Sequence, residues 1–240
     1  MSLRPLTGLL AALSPVLLAA CSASPDRTPA PASERDYVFV FIKTGPATGL
    51  TPEAQREAFA GHFSNMERLA DEGELLIAGP FMDPRAPDHR GLFVIDEPTV
   101  EAGMVHAATD PTTVAGIFVL EGRLFTTDAP LTRLLGLEKE DEARRLADPD
   151  IPDEWSGRRY VLATARFDAG LYERAKAADG VLIAGRLHGA GAGGGDEVLA
   201  WVDAEDPEAA EGMLPEGGQW TLHGWFGSRM VAEMGRSRRP

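Results

Sequence analysis

The chain has 240 residues and carries 23 Lys and Arg against 37 Asp and Glu, a formal charge of −14. That balance excludes the basic footprint of a nucleic-acid-binding surface, and 44% hydrophobic residues are enough to build a core. One cysteine, Cys21, excludes a disulfide framework and any metal cluster built on several thiolates.

Residues 1–20 read as an export signal: Arg4 supplies the positive start, and residues 9–20 form an apolar stretch too short for a membrane span. The stretch ends in Leu18-Ala19-Ala20-Cys21, which resembles the lipobox of bacterial lipoproteins. The alternative is an ordinary small-residue cleavage site that happens to carry a cysteine. The resemblance implies lipidation at Cys21 and membrane contact through a lipid anchor only. Ser22, where an Asp would retain a lipoprotein at the inner membrane, implies the periplasmic face of the outer membrane. Residues 21–36, rich in Pro, Ala and Ser without apolar periodicity, read as a disordered tether.

Folded structure begins at Tyr37. The run Tyr37-Val38-Phe39-Val40-Phe41-Ile42 predicts a strand buried on both faces. Thr51 and Pro52 open a helix to about Asp71, with Phe59, Phe63, Met66, Leu69 and Ala70 as its apolar stripe, and Gly73 ends it. Strands follow at 75–79 and 92–95 around a loop over 80–90, then a helix over 99–109 and a strand over 116–120. The order βαββαβ predicts helices on one face of an antiparallel sheet.

Leu76-Ile77-Ala78-Gly79 recurs as Leu182-Ile183-Ala184-Gly185, and the element order repeats around it: strands at 160–165, 181–185, 198–202 and 220–226, with helices over 169–178 and 207–214. Residues 128–156 between the copies read as a linker containing a helix. The expected divisions are therefore 37–127 and 157–236, two ferredoxin-like α+β repeats.

Residues 36–127 resemble the YCII-related family of the dimeric α/β barrel superfamily. The resemblance rests on His62, on Asp71-Glu72-Gly73-Glu74-Leu75-Leu76-Ile77-Ala78-Gly79-Pro80, on the strand 91–95, and on Asp110-Pro111 ahead of Ala115-Gly116. It implies two repeats facing each other as an intrachain pseudodimer in a monomeric chain, one pocket for a small-molecule ligand, no cofactor, and a catalytic pair His62 and Asp110. Asp71, Pro80 and Phe81 are the substrate-binding residues expected with that pair.

The residues themselves leave two readings of His62. On a helical wheel it falls within the apolar arc and faces the sheet, as a hydrogen-bonded core histidine or as a general acid/base beside a carboxylate. Asp110, before a proline, is either its orienting partner or a turn residue; Asp71 is a second carboxylate for the same role. The run 189–194 satisfies GxGxxG but leads into another strand, so it reads as a hairpin loop. The histidines 62, 89, 106, 188 and 223 have no metal-ligand spacing, and Asp83, Asp88 and His89 read as a surface turn. Aligning the two copies sets Asp168 near His62 and Gly218 near Asp110, which makes the second copy degenerate. The reading that follows is an envelope-tethered acid/base enzyme of lyase or isomerase type, with a non-catalytic ligand-binding or structural lipoprotein as the alternative.

Overall fold

The computed structural model describes residues 33–151 and 157–236. The signal segment, Cys21, most of the tether, the end of the linker and Trp155 lie outside the described residues. The first half runs β1 (Arg35–Thr44), α1 (Pro52–Asp71), β2 (Leu75–Met82), β3 (His89–Ile95), α2 (Val100–Ala107), α3 (Pro111–Val114) and β4 (Phe118–Thr127). A connecting helix α4 (Arg133–Ala147) leads to β5 (Gly157–Arg166), α5 (Ala169–Ala177), β6 (Val181–Leu187), β7 (Glu197–Val202), α6 (Pro207–Glu211), β8 (Thr221–Ser228) and α7 (Met230–Arg236). Thr51 caps α1 by accepting from the Ala54 N–H at 3.2 Å, and Gly73, at φ +86°, turns the chain out of that helix. The Gly-rich run lies in the β6–β7 hairpin connection, where residues 191–193 make one 3₁₀ turn.

Among the described residues all eight strands pair antiparallel and close into one barrel in the order β1-β3-β2-β8-β5-β7-β6-β4, with β4 returning to β1. This overturns the expected fold of two ferredoxin-like βαββαβ repeats and, with it, the dimeric α/β barrel pseudodimer. The halves do not meet as two separate sheets; they are hydrogen-bonded to each other. β2 joins β8 through Phe81↔Trp225 and Met82↔Gly224, and β4 joins β6 through Phe125↔Leu187 and Thr126↔Arg186. Closure gives the edge strands of each half partners for backbone N–H and C=O groups that an open sheet leaves unpaired.

The glycine of each recurring segment sits where one half approaches the other. A Cβ on Gly79 would overlap the Phe226 carbonyl oxygen and the Trp225 indole; one on Gly185 would overlap the Phe125 ring and come within 2.9 Å of the Thr126 carbonyl oxygen.

Period-two alternation explains why the strands read as apolar on both faces. Tyr37, Phe39 and Phe41 point into the barrel, while Val38, Val40 and Ile42 point outward under the helices with Leu69, Phe93 and Ile95. In the second half Leu162, Leu199 and Trp201 point inward, and the smaller Val161, Ala163, Val198 and Ala200 lie outside with the residues of the short α5. One end of the barrel is closed by Leu131 and Leu134 near and on α4 and by Met230, Val231 and Met234 on α7. The helix α7 has no counterpart among the expected elements. The strand β4 runs to Thr127, seven residues past its expected end, because Glu121 and Arg123 break the apolar pattern that marks a strand. Both side chains line the inside of the barrel at its other end.

Candidate functional site

His62 sits in the middle of α1, on the turn that faces α3, and Asp110 is the N-cap of α3. The two helices approach closely because residue 61 is glycine: a Cβ there would lie 2.8 Å from Pro111 Cγ. Asp110 is 1% exposed, and its two oxygens do different jobs. Oδ1 accepts from the Thr112 N–H at 2.8 Å and from the Thr112 hydroxyl at 2.6 Å, which holds the start of α3. Oδ2 lies 2.5 Å from His62 Nδ1.

Burial by itself raises the Asp110 carboxyl, but the hydrogen bonds from His62 and Thr112 outweigh it and hold it below the usual carboxylate range. An ionised carboxylate is acceptor-only, so Nδ1 carries the proton and donates it. In the neutral ring Nε2 is then the acceptor, and no described residue hydrogen-bonds it. The ring is stacked on Phe93 at a centroid separation of 6.0 Å and flanked by Phe63 at 5.3 Å, Phe118 at 6.3 Å and Phe59 at 6.4 Å. Phe59 and Phe63 are 38% and 64% exposed, so the aromatic surround opens to solvent on the helix side.

The other expected site residues are not gathered around this pair. Asp71 is exposed at the last position of α1, nine residues beyond His62, which is about 13 Å along a helix. Pro80 is exposed on β2, and the neighbouring Phe81 turns into the barrel. Asp168 caps α5 by accepting from the Leu171 N–H at 2.8 Å, so it holds a helix start rather than occupying a mid-helix position like that of His62. Gly218 lies in the loop before β8, on a groove it shares with Asp168.

A cavity of about 140 Å³ opens at the end of the barrel away from α4 and α7. Phe41, Phe81, Leu162 and Leu199 supply its apolar wall, and Glu121, Arg123, Thr164, Glu197, His89 and His223 its polar one. His62 and Asp110 lie in the outer helical layer, so the strand wall separates them from this space. Two of its charged pairs are closed: Lys43 donates to Glu121 at 2.7 Å and Arg123 to Glu197 at 2.6 Å.

His89 is not a surface-turn residue. Its ring lies 4.9 Å from Phe41 and 6.0 Å from His223, and Nδ1 of both imidazoles is buried with no hydrogen-bond partner. Glu121, Arg123 and Glu197 were not among the expected site residues, and His223 was weighed only as a metal ligand; the signal was their alternation with inward-facing neighbours, as in Glu121, Arg123, Phe125 or His223, Trp225. Among the described residues no group of three His, Cys, Asp or Glu side chains is arranged to hold a metal ion, and no helix is long and apolar enough to cross a membrane.

Both cavity histidines are held below the ordinary imidazole value. Burial is the chief cause in each; His89 adds to it at His223, while at His89 the effects of Asp88 and Glu121 oppose those of Lys43 and Arg85. The unfolded chain therefore takes up these protons first as pH falls. Their contribution to stability is complete above the unfolded value of 6.5 and is lost as pH drops below it through the lower folded values. Urea midpoints are expected to decline from pH 7.5 to pH 5, and the double variant His89→Phe/His223→Phe should flatten that decline; an unchanged slope contradicts it.

The chain matches no protein-family model, no curated protein and no solved structure with which it was compared.

Proposed function

We propose that this protein is a cofactor-independent small-molecule enzyme of acid/base type, a lyase or isomerase of the bacterial envelope, with His62 as the proton-transfer group and Asp110 as its orienting partner. The observation that carries this reading is the division of labour at one imidazole: Nδ1 is taken by a buried carboxylate, and Nε2 is free of described partners within an aromatic surround that reaches solvent. A general base needs this arrangement, because the carboxylate selects the tautomer and steadies the imidazolium formed when Nε2 takes a proton. The motif likeness to YCII-related proteins supports the same pair. A barrel closed within one chain supports a monomer, and Cys21 at the end of the signal segment supports lipid anchoring at the outer membrane.

The second reading, a non-catalytic ligand-binding or structural lipoprotein, is favoured by the capping role of Asp110, which α3 needs whether or not any chemistry takes place. A thermal-shift screen of small carbonyl compounds on wild type and His62→Ala tests for a ligand at the imidazole, and turnover of any such compound separates the enzyme from the non-catalytic reading. Compounds that raise the wild-type melting temperature and lose most of that shift in the variant place the ligand at the imidazole; hits that shift both proteins equally count against the site.

A further inference from the structure

The barrel cavity carries an inference that does not rest on the acid/base reading. Its volume, about 140 Å³, is close to the ~150 Å³ that holds one benzene-sized ring. Its acidic side chains are already neutralised, Glu121 by Lys43 and Glu197 by Arg123, so an ionic ligand would add an unpaired charge or break an existing pair.

What the lining lacks is partners for two imidazoles. No described residue hydrogen-bonds the ring of His89 or His223; the Nδ1 of each is closed off by the protein, and both rings line the cavity, so Nε2 is the nitrogen a ligand there can reach. Held below their usual value by burial, the rings are neutral at pH 7, and a neutral imidazole offers one donor and one acceptor. A hydroxyl offers the same two functions. The ring centroids are 6.0 Å apart. An oxygen about 2.8 Å from the Nε2 of each ring and in line with both rings lies about 3.9 Å from each centroid, close enough to bridge that separation. A metal would find both glutamates engaged and, among the described residues, no group of three His, Cys, Asp or Glu side chains arranged to hold it.

We propose that the open end of the barrel is a binding site, separate from His62, for a small neutral ring compound bearing a hydroxyl, the chemistry of a simple phenol. The ring fills the space against Phe41 and Phe81, whose planes are within 10° of each other, and the hydroxyl lies between His89 and His223.

The test titrates the full chain with phenol, benzene and benzoate, following the imidazole ¹⁵N resonances. Phenol is expected to bind saturably, at least tenfold tighter than benzene or benzoate, and to move the His89 and His223 signals while leaving those of His62 unmoved. His223→Phe and His89→Phe, which keep a ring in place, should each lower phenol affinity at least tenfold, and His62→Ala should not. His223→Gln serves if the phenylalanine variants do not fold, and the wild-type resonances need no variant. The proposal is overturned by absence of saturation up to about 50 mM phenol, by equal affinity for benzene, by preference for benzoate, by Zn²⁺ binding at the same two rings in place of phenol, or by phenol affinity indifferent to both histidines.

Discussion

Asp141→Asn is expected to cost about 3 kcal/mol of folding stability, read from urea denaturation at pH 7. Asp141 lies on α4 with its side chain 4% exposed, and three guanidinium groups converge on it. Arg145 donates to Oδ2 at 3.1 Å from one turn further along the same helix; Arg144 and Arg229 both reach Oδ1. Arg229 directly precedes α7, so this carboxylate ties together the two helices that close the far end of the barrel. Burial by itself raises its carboxyl, but the bonds from Arg144, Arg229 and Arg145 outweigh it and hold it down to about 2. Removing the negative charge takes from Arg145, 8% exposed, the carboxylate it donates to and leaves three cations converging on an uncharged amide. Arg144→Ala is the contrasting variant: its side chain is 55% exposed, and its loss should cost under about 1 kcal/mol. The Asp141 contribution is fully present above the unfolded carboxyl value of 3.8 and disappears as pH falls toward 2, so the gap between wild type and Asp141→Asn should narrow across that interval. A variant as stable as wild type at pH 7 would show that α4 and α7 are held by their apolar contacts alone.

Once a substrate is identified, His62→Ala is expected to lower its turnover by about a hundredfold or more, the range associated with loss of a positioned proton-transfer group. Asp110→Asn should lower turnover as well while leaving substrate affinity within a few fold. The amide can still cap α3 through its oxygen, but it no longer holds the imidazole with Nε2 as acceptor or balances the imidazolium. The split between kcat and KM separates orientation from packing. A variant that only loosens α3 loses stability, by about 1 kcal/mol for a weakened cap, and not rate. Unchanged turnover with lowered stability in both variants would make His62 a packing residue on Phe93 and favour the non-catalytic reading.

The sequence marks His62 and Asp110 separately, as a polar residue inside the apolar arc of α1 and an acidic residue ahead of a helix-opening proline, while their expected pairing came from the resemblance to YCII-related proteins. The barrel cavity was not legible. Its polar residues come from five separate strands, among them His89 at the start of β3 and His223 on β8, and each looks like a surface or turn residue within its own segment. Phe81 was placed with the wrong group for the same reason: its neighbours in space are His89 and His223, not His62.

The sequence by itself determined the strands, the longer helices, the caps of α1 and the internal repetition, because these follow from side-chain periodicity and from hydrogen bonds spanning a few residues. Which strand edges meet was decided only in three dimensions. The pairings β2–β8 and β4–β6 join residues about 60 to 140 positions apart, and no local pattern distinguishes two facing sheets from one closed barrel built of the same strands. Closure also decided which residues surround the cavity, since an inward-facing position acquires its neighbours only when the last edge is paired.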